Sequence, residues 1–281
     1  LEIMNDAKAL GVNAINFPVR DYCIGNISGY SKEYEQKRTD TLSKLLDGAF
    51  DLLILPAEAA TQYTIPANIL KENRIKISLA DTLNVTDFCE RLLSIGYSRC
   101  ELVEGAGQFA HRGGIIDIFP TNKSEPVRIE LWGDEVDSIS TFEVLSQRRN
   151  ENIAEIEIFP ASELICNRLD LAKELADFMK GKKLSDKQKM ILRGDIEALE
   201  NGVSFSLDRY TSFIQKDTTI FDYLDDFLMV TSEITAVREK LKNLGFQRGE
   251  DIKTFLEEGF LTSKTAKLYL DEAELLDYIE K

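Results

Sequence analysis

An α/β domain with a parallel sheet, interrupted by an inserted antiparallel α+β domain, is the fold class this sequence predicts. Three observations predict it. Near the N-terminus an amphipathic helix lies between two apolar runs, the pattern of a βαβ unit. Four short runs of alternating apolar and polar residues follow, separated by turn residues, as in antiparallel strands with one wet face. Helical periodicity and a further apolar run then resume, and insertions settle in exposed loops whose ends lie close together. The predicted domains are 1–75, the first part of the α/β domain; 76–166, the inserted α+β domain; and 167–281, the second part of the α/β domain.

Taken in order, Leu1, Met4, Ala7 and Leu10 share one helical face before Gly11, which suits a helix C-terminal cap. Residues 12–17, closed by Pro18, read as a buried strand. The strand expected before that helix in an α/β layer is missing, so the sequence reads as a fragment whose first domain is truncated at its N-terminus. Residues 31–46 form a charged amphipathic helix that turns Tyr34, Leu42, Leu45 and Leu46 inward and stops at Gly48. Residues 51–56 form a near-continuous apolar strand of the kind buried on both faces. Asn84 or Thr86 caps a helix with Phe88, Leu92 and Ile95 on one face, ended by Gly96. Strands are expected at 114–119, 127–132, 136–142 and 153–159. Helices are expected at 170–179, 185–200 and 231–244, a buried strand at 227–230, and a last strand and helix at 268–270 and 272–279.

Composition sets the limits on function. The chain has 281 residues, 43% of them hydrophobic and 9% aromatic, enough for a conventional core. With 34 Lys and Arg against 49 Asp and Glu, its formal charge of −15 repels phosphate backbones, so a DNA-binding domain working alone is not expected. Four scattered cysteines with no C-x-x-C pair suit a reducing cytoplasm. No stretch approaches the roughly 20 apolar residues that span a bilayer, so no membrane partner is expected. A single histidine, His111, excludes His-rich metal sites by count. No metal or cofactor is expected.

Catalytic chemistry has no strong candidate. No G-x-x-x-x-G-K-[ST] loop exists, since Gly181-Lys182-Lys183 lacks both the glycine spacing and the hydroxyl that would hold magnesium. Gly105, Gly107, Gly113 and Gly114 flank strands rather than open a helix, so they read as turn or bulge residues. His111 has no G-x-S-x-G elbow or cysteine nucleophile to serve. Asp222, Asp225 and Asp226, near Tyr223, read as a solvated face.

One strand carries more information than the rest. In Val127-Arg128-Ile129-Glu130-Leu131-Trp132, the period of two puts Val127, Ile129 and Leu131 on a core face. Arg128, Glu130 and the only tryptophan of the chain fall on the other, and Arg112 precedes the neighbouring strand. Arginine and tryptophan are the types enriched at binding hot spots. Two readings stand: a binding patch, or local packing in which Trp132 caps the sheet edge and Arg128 pairs with Glu130 or another nearby acid, a surface contact worth about 0 to 1 kcal/mol.

The run from Tyr97 to Pro120, with Glu104-Gly105-Ala106-Gly107-Gln108-Phe109-Ala110-His111-Arg112-Gly113-Gly114-Ile115-Ile116-Asp117-Ile118-Phe119-Pro120, closely resembles the inserted domain of UvrB-like repair proteins, as do Arg128 to Ile139 and Phe159-Pro160-Ala161. Flanking Phe17-Pro18-Val19-Arg20-Asp21, Glu35-Gln36-Lys37-Arg38 and Leu256-Glu257-Glu258-Gly259 extend the resemblance over essentially the whole chain. Within that group the sequence resembles the N-terminal UvrB-like module of the transcription-repair coupling factor (Mfd) family more than UvrB itself. UvrB carries a phosphate loop and a long aromatic hairpin, whereas residues 22–55 here leave no room for such a hairpin.

The resemblance implies a degenerate helicase-like (RecA/P-loop-like) half-domain. Where the family can carry an Asp-Glu pair for magnesium, this chain has Ser232-Glu233, without the charge to hold the metal. It also implies that residues 76–166 bind UvrA, through the positions matching Arg112, Arg128 and, in place of the usual Phe, Trp132. On this view the module recruits UvrA to stalled transcription complexes for nucleotide excision repair and is itself catalytically inert, while the full-length family protein is an ATP-dependent DNA translocase. A C-terminal domain of the same long chain masks the surface, and RNA polymerase and DNA are met through other domains. The alternative is a fragment of a UvrB-like, ATP-dependent damage-verification enzyme.

Overall fold

The structure is a computed structural model that describes residues 2–25, 33–203, 205–215 and 217–280, without the side chains of 279 and 280. Its chain forms two compact units, one of residues 1–34, 45–67 and 166–281, the other of residues 35–44 and 68–165. Both parallel and antiparallel sheets are present, as in a mixed α/β protein. Among the described residues no helix is long and apolar enough to cross a membrane.

In the first unit, β1 (Ala14–Asn16) pairs in parallel with β2 (Leu52–Ile54). Ile15 and the adjoining Phe17 are buried, but Leu52 is exposed, so β2 is not covered on both faces as its apolar run suggests. Among the described residues this sheet has two strands, and a strand is buried on both sides only where other elements pack on both faces of its sheet, which the exposed Leu52 shows is not the case here. The helix Glu2–Ala9 buries Ala7 alone. It stops one residue before Leu10, which therefore leaves the predicted apolar face and is exposed, while Gly11 takes the left-handed cap at φ 73°. Leu1 and the predicted helix start at Ser31 lie outside the described residues.

Helices Arg168–Gly181 and Asp186–Glu200 pack through Leu171, Leu175, Leu192 and Leu199, and Ser185 and Gln188 close a capping box at the second. The last long helix, Ile234–Glu258, runs on through Gly245 and Gly249 to a left-handed Gly259. The predicted buried strand at 227–230 does not form. Phe227, Leu228 and Val230 are exposed, Leu228 at 90%. Asp226 and Glu233 on either side adopt φ 44° and 51°, which interrupt an extended run, and no strand pairs with it among the described residues. The expected strand at 268–270 is a single bridge from Tyr269 to Gln62, followed by the helix Glu272–Glu280. Asp222 is exposed, as expected, and also caps a turn: it accepts from Thr219 N at 2.7 Å and Thr219 Oγ1 at 2.9 Å. Asp225 and Asp226 are exposed.

The second unit contains β3 (Ile75–Ser78), β4 (Ser98–Arg99), β5 (Gln108–Arg112), β6 (Ile115–Ile118), β7 (Val127–Trp132), β8 (Glu135–Phe142), β9 (Arg149–Asn152) and β10 (Glu155–Ile158). β10 pairs with β3, and the other six strands form one sheet in chain order, antiparallel except where β4 meets β5. Its core face packs on the helix Val85–Ser94, which presents Phe88, Cys89 and Leu92, with Ile95 just beyond, to Ile116, Ile129 and Ile139. Asn84 caps that helix, accepting from Thr86 N at 3.0 Å and Asp87 N at 3.2 Å. Gly96 closes it with φ 96°, where a Cβ would stand 2.4 Å from the Ser162 Cβ.

From the helix Glu33–Leu46, residues 35–44 group with this second unit. Glu35 accepts from Ser162 Oγ at 2.6 Å, Gln36 donates to the Ala106 carbonyl at 3.1 Å, and the buried Arg38 bonds Glu163 at 2.5 Å and 3.2 Å. Tyr34, predicted inward, is half exposed, since it precedes the stretch that makes these bonds.

Candidate docking face on the six-stranded sheet

The outer face of the sheet is built by pairing register. Ala110 faces Asp117, Asp117 faces Arg128, and Arg128 faces Ser140, one row across β5 to β8. Arg112, Ile115, Glu130 and Ser138 make the next row toward the hairpin ends, and Trp132 opposite Glu135 the one beyond. The tight turns at Gly113-Gly114 and Gly133-Asp134 close this end, and Gly113 and Gly133 supply the positive φ, 62° and 64°, that two-residue hairpin turns require. A bulge where Leu131 pairs with Val136 leaves Asp137 unmatched but preserves the alternation along β7. Val127 and Ile129 are buried in the core, Leu131 packs against it, and Arg128, Glu130 and Trp132 point the other way.

This outer face is not uniformly wet, contrary to its reading as the solvent side. Val103, Ala110 and Phe142 form a small second core there, with Cys100 and Phe119 against it. Arg128 belongs to its margin. Its side chain is 14% exposed, its guanidinium carbon lies 4.8 Å from the Phe142 ring centroid, and its Nη1 donates to the Gln147 carbonyl at 3.3 Å. Gln147 holds φ 57° at the base of the β8–β9 turn, a costly conformation for a residue with a side chain.

Asp117, which sequence reasoning did not single out, organises the site. Its side chain is 1% exposed and receives Arg128 Nε at 2.6 Å on Oδ1 and Arg128 Nη2 at 2.9 Å on Oδ2. Arg112 Nη2 joins at 2.8 Å on Oδ2. The signal was there: an acid amid the apolar residues of 115–118 must be paired, because an isolated buried carboxylate is too costly. The Asp117 hydrogen bonds raise the Arg128 pKa further, fixing its charge. Glu130, the acid the sequence offered as a partner for Arg128, instead pairs with Arg149 and accepts from Ser138 Oγ at 3.1 Å.

Trp132 is 84% exposed and Arg112 51% on its side chain. The face therefore presents a large apolar ring and a cation at one end of the sheet, backed by a buried carboxylate. His111 stays near the turn, with Nε2 2.7 Å from the Gly113 carbonyl, so it serves the hairpin. Among the described residues no group of three or more His, Cys, Asp or Glu could hold a metal ion. The first unit has a cavity of about 390 Å³ beside Arg248, whose guanidinium donates to Thr61 Oγ1 at 2.7 Å and covers the Tyr269 ring at 3.7 Å.

Residues 75–164, the stretch that builds this sheet, match the family model described as UvrB interaction domain. The chain is 33% identical over 256 residues to the transcription-repair-coupling factor of Bacillus subtilis (strain 168). It is 30% identical over 258 residues to that of Staphylococcus haemolyticus (strain JCSC1435), and 29% over 258 residues to that of Staphylococcus aureus (strain MRSA252). Each match covers 86% of this chain and 22% of the relative, so the chain spans about a fifth of the length of these curated relatives. Over most of its length the chain is thus similar to a stretch of about a fifth of the transcription-repair-coupling factors, and its residues 75–164 match the UvrB interaction domain.

Proposed function

We propose that this chain is a recruitment module of transcription-coupled repair, which binds UvrA through Arg112, Arg128 and Trp132 and brings it to stalled transcription complexes. The observation that carries this reading is the 84% exposure of Trp132 at the same sheet end as the half-exposed Arg112, within the stretch that matches the UvrB interaction domain. An indole left in water has no stabilising role in its own fold, and aromatic and arginine anchors dominate interface energetics. The module works by contact rather than catalysis, with no phosphate loop in its sequence, and we read its α/β unit as a helicase-like half-domain retained as scaffold. In a longer parent chain, a C-terminal domain covers the same face until the translocase engages, and RNA polymerase and DNA are met elsewhere.

The test is the affinity of the purified chain for UvrA, measured by calorimetry. Arg112→Ala and Trp132→Ala are each expected to weaken binding by about 2 kcal/mol or more, with thermal unfolding unchanged. Wild-type affinity in both variants contradicts the assignment. ATP titrated into the same protein is expected to give no heat of binding, and a saturable signal favours a nucleotide-using enzyme instead.

A further inference from the structure

The two arginines of the proposed docking face are not equivalent. Of the five N–H groups of a guanidinium, Arg128 directs three at Asp117 and the Gln147 carbonyl, its flat face covers Phe142, and its side chain is 14% exposed. Arg112 gives one bond to Asp117 Oδ2 at 2.8 Å and is 51% exposed. One carboxylate cannot neutralise two guanidinium groups, so the cluster keeps a positive charge, and geometry sends it to the outside through Arg112. Glu130, on the same face, does not cancel it, being engaged by Arg149 and Ser138.

We propose that, given the docking role inferred above, Asp117 is a positioning residue that holds Arg128 and aims Arg112, so that Arg112 is the cation that meets the partner. Arg128 acts through Asp117, as the second half of a buried clamp. The partner chemistry that fits is a carboxylate beside an apolar recess: the carboxylate takes the outward N–H groups of Arg112, and the recess takes the Trp132 indole. A paired, preformed guanidinium loses less freedom on binding than a free one, and its planar fork suits a carboxylate as an ammonium does not.

The experiment is a double-mutant cycle on UvrA affinity with Arg112→Ala, Asp117→Asn and the double variant, each also followed by thermal unfolding. Arg112→Ala is expected to weaken binding about thirtyfold and Asp117→Asn about tenfold, with the double variant within about twofold of Arg112→Ala alone, because both changes remove the same aimed cation. Multiplying single effects, or wild-type affinity for Asp117→Asn while Arg112→Ala is impaired, overturns the positioning role and leaves the docking face standing. Wild-type affinity for both Arg112→Ala and Trp132→Ala overturns the docking face itself. Should Asp117→Asn fail to fold, Arg112→Lys decides: it keeps the charge at a half-exposed position, and an approximately tenfold loss is expected because an ammonium held by Asp117 has no fork to offer. Arg112→Lys at wild-type affinity overturns the proposal.

Discussion

Arg128 and Arg112 lie on the same sheet face and share one carboxylate, yet their removal should have opposite consequences. Arg128→Ala leaves Asp117 buried at 1% exposure with only Arg112 beside it, and losing one partner of a buried ion pair costs about 3 to 5 kcal/mol. Urea unfolding should register that loss, whereas Arg112→Ala should stay within about 0.5 kcal/mol of wild type, as surface changes do. Parity along 127–132 made the outward side of this strand legible in the sequence. The clamp was not legible, because it depends on which residue of β6 stands opposite Arg128, and register is a property of the sheet. The thiols also respond to burial, which raises Cys89 and Cys100 above their ordinary value and lifts Cys166 to about 11. These three should react slowly with a disulfide reagent at neutral pH until denaturant is added; rapid native labelling of all three contradicts that burial.

Elements with local signals were read well, and those defined by their partners were not. The helix Val85–Ser94 announced itself through its Asn84 cap, its apolar stripe and Gly96. Strand β5 went unread because Gln108-Phe-Ala-His-Arg112 has little alternation of its own and is extended only because β6 pairs with it. The reverse error occurred at 227–230, where apolar content imitated a strand that the flanking left-handed residues break. Gly96 offers a direct check on element geometry. A side chain there meets Ser162 at 2.4 Å in a conformation with φ 96°, so Gly96→Ala should destabilise by more than 1 kcal/mol, with Gly113→Ala, open to solvent but also at positive φ, costing less in the same calorimetric melt. Equal melting temperatures for the two variants would contradict the packing described.

At the scale of the molecule, the alternation of α/β and antiparallel character was visible in the sequence, and both kinds of sheet are present. What no local pattern could announce is that residues 35–44 share hydrogen bonds with Ala106, Ser162 and Glu163, a long-range association carried by Glu35, Gln36 and Arg38. The same limit governs partners: charge is a whole-chain property and could be read at once, while a face is not. With a formal charge of −15, the chain should fail to shift labelled duplex DNA at physiological salt, and a salt-sensitive shift would contradict that expectation. The outward indole proposed as the docking anchor has a spectroscopic handle, because Trp132 is the only tryptophan. With 5-fluorotryptophan incorporated into this chain, the single ¹⁹F resonance should begin at a solvent-exposed shift, then move and lose its accessibility to a dissolved paramagnet as UvrA is added to saturation. A resonance that keeps both its shift and its accessibility in the saturated complex contradicts the account.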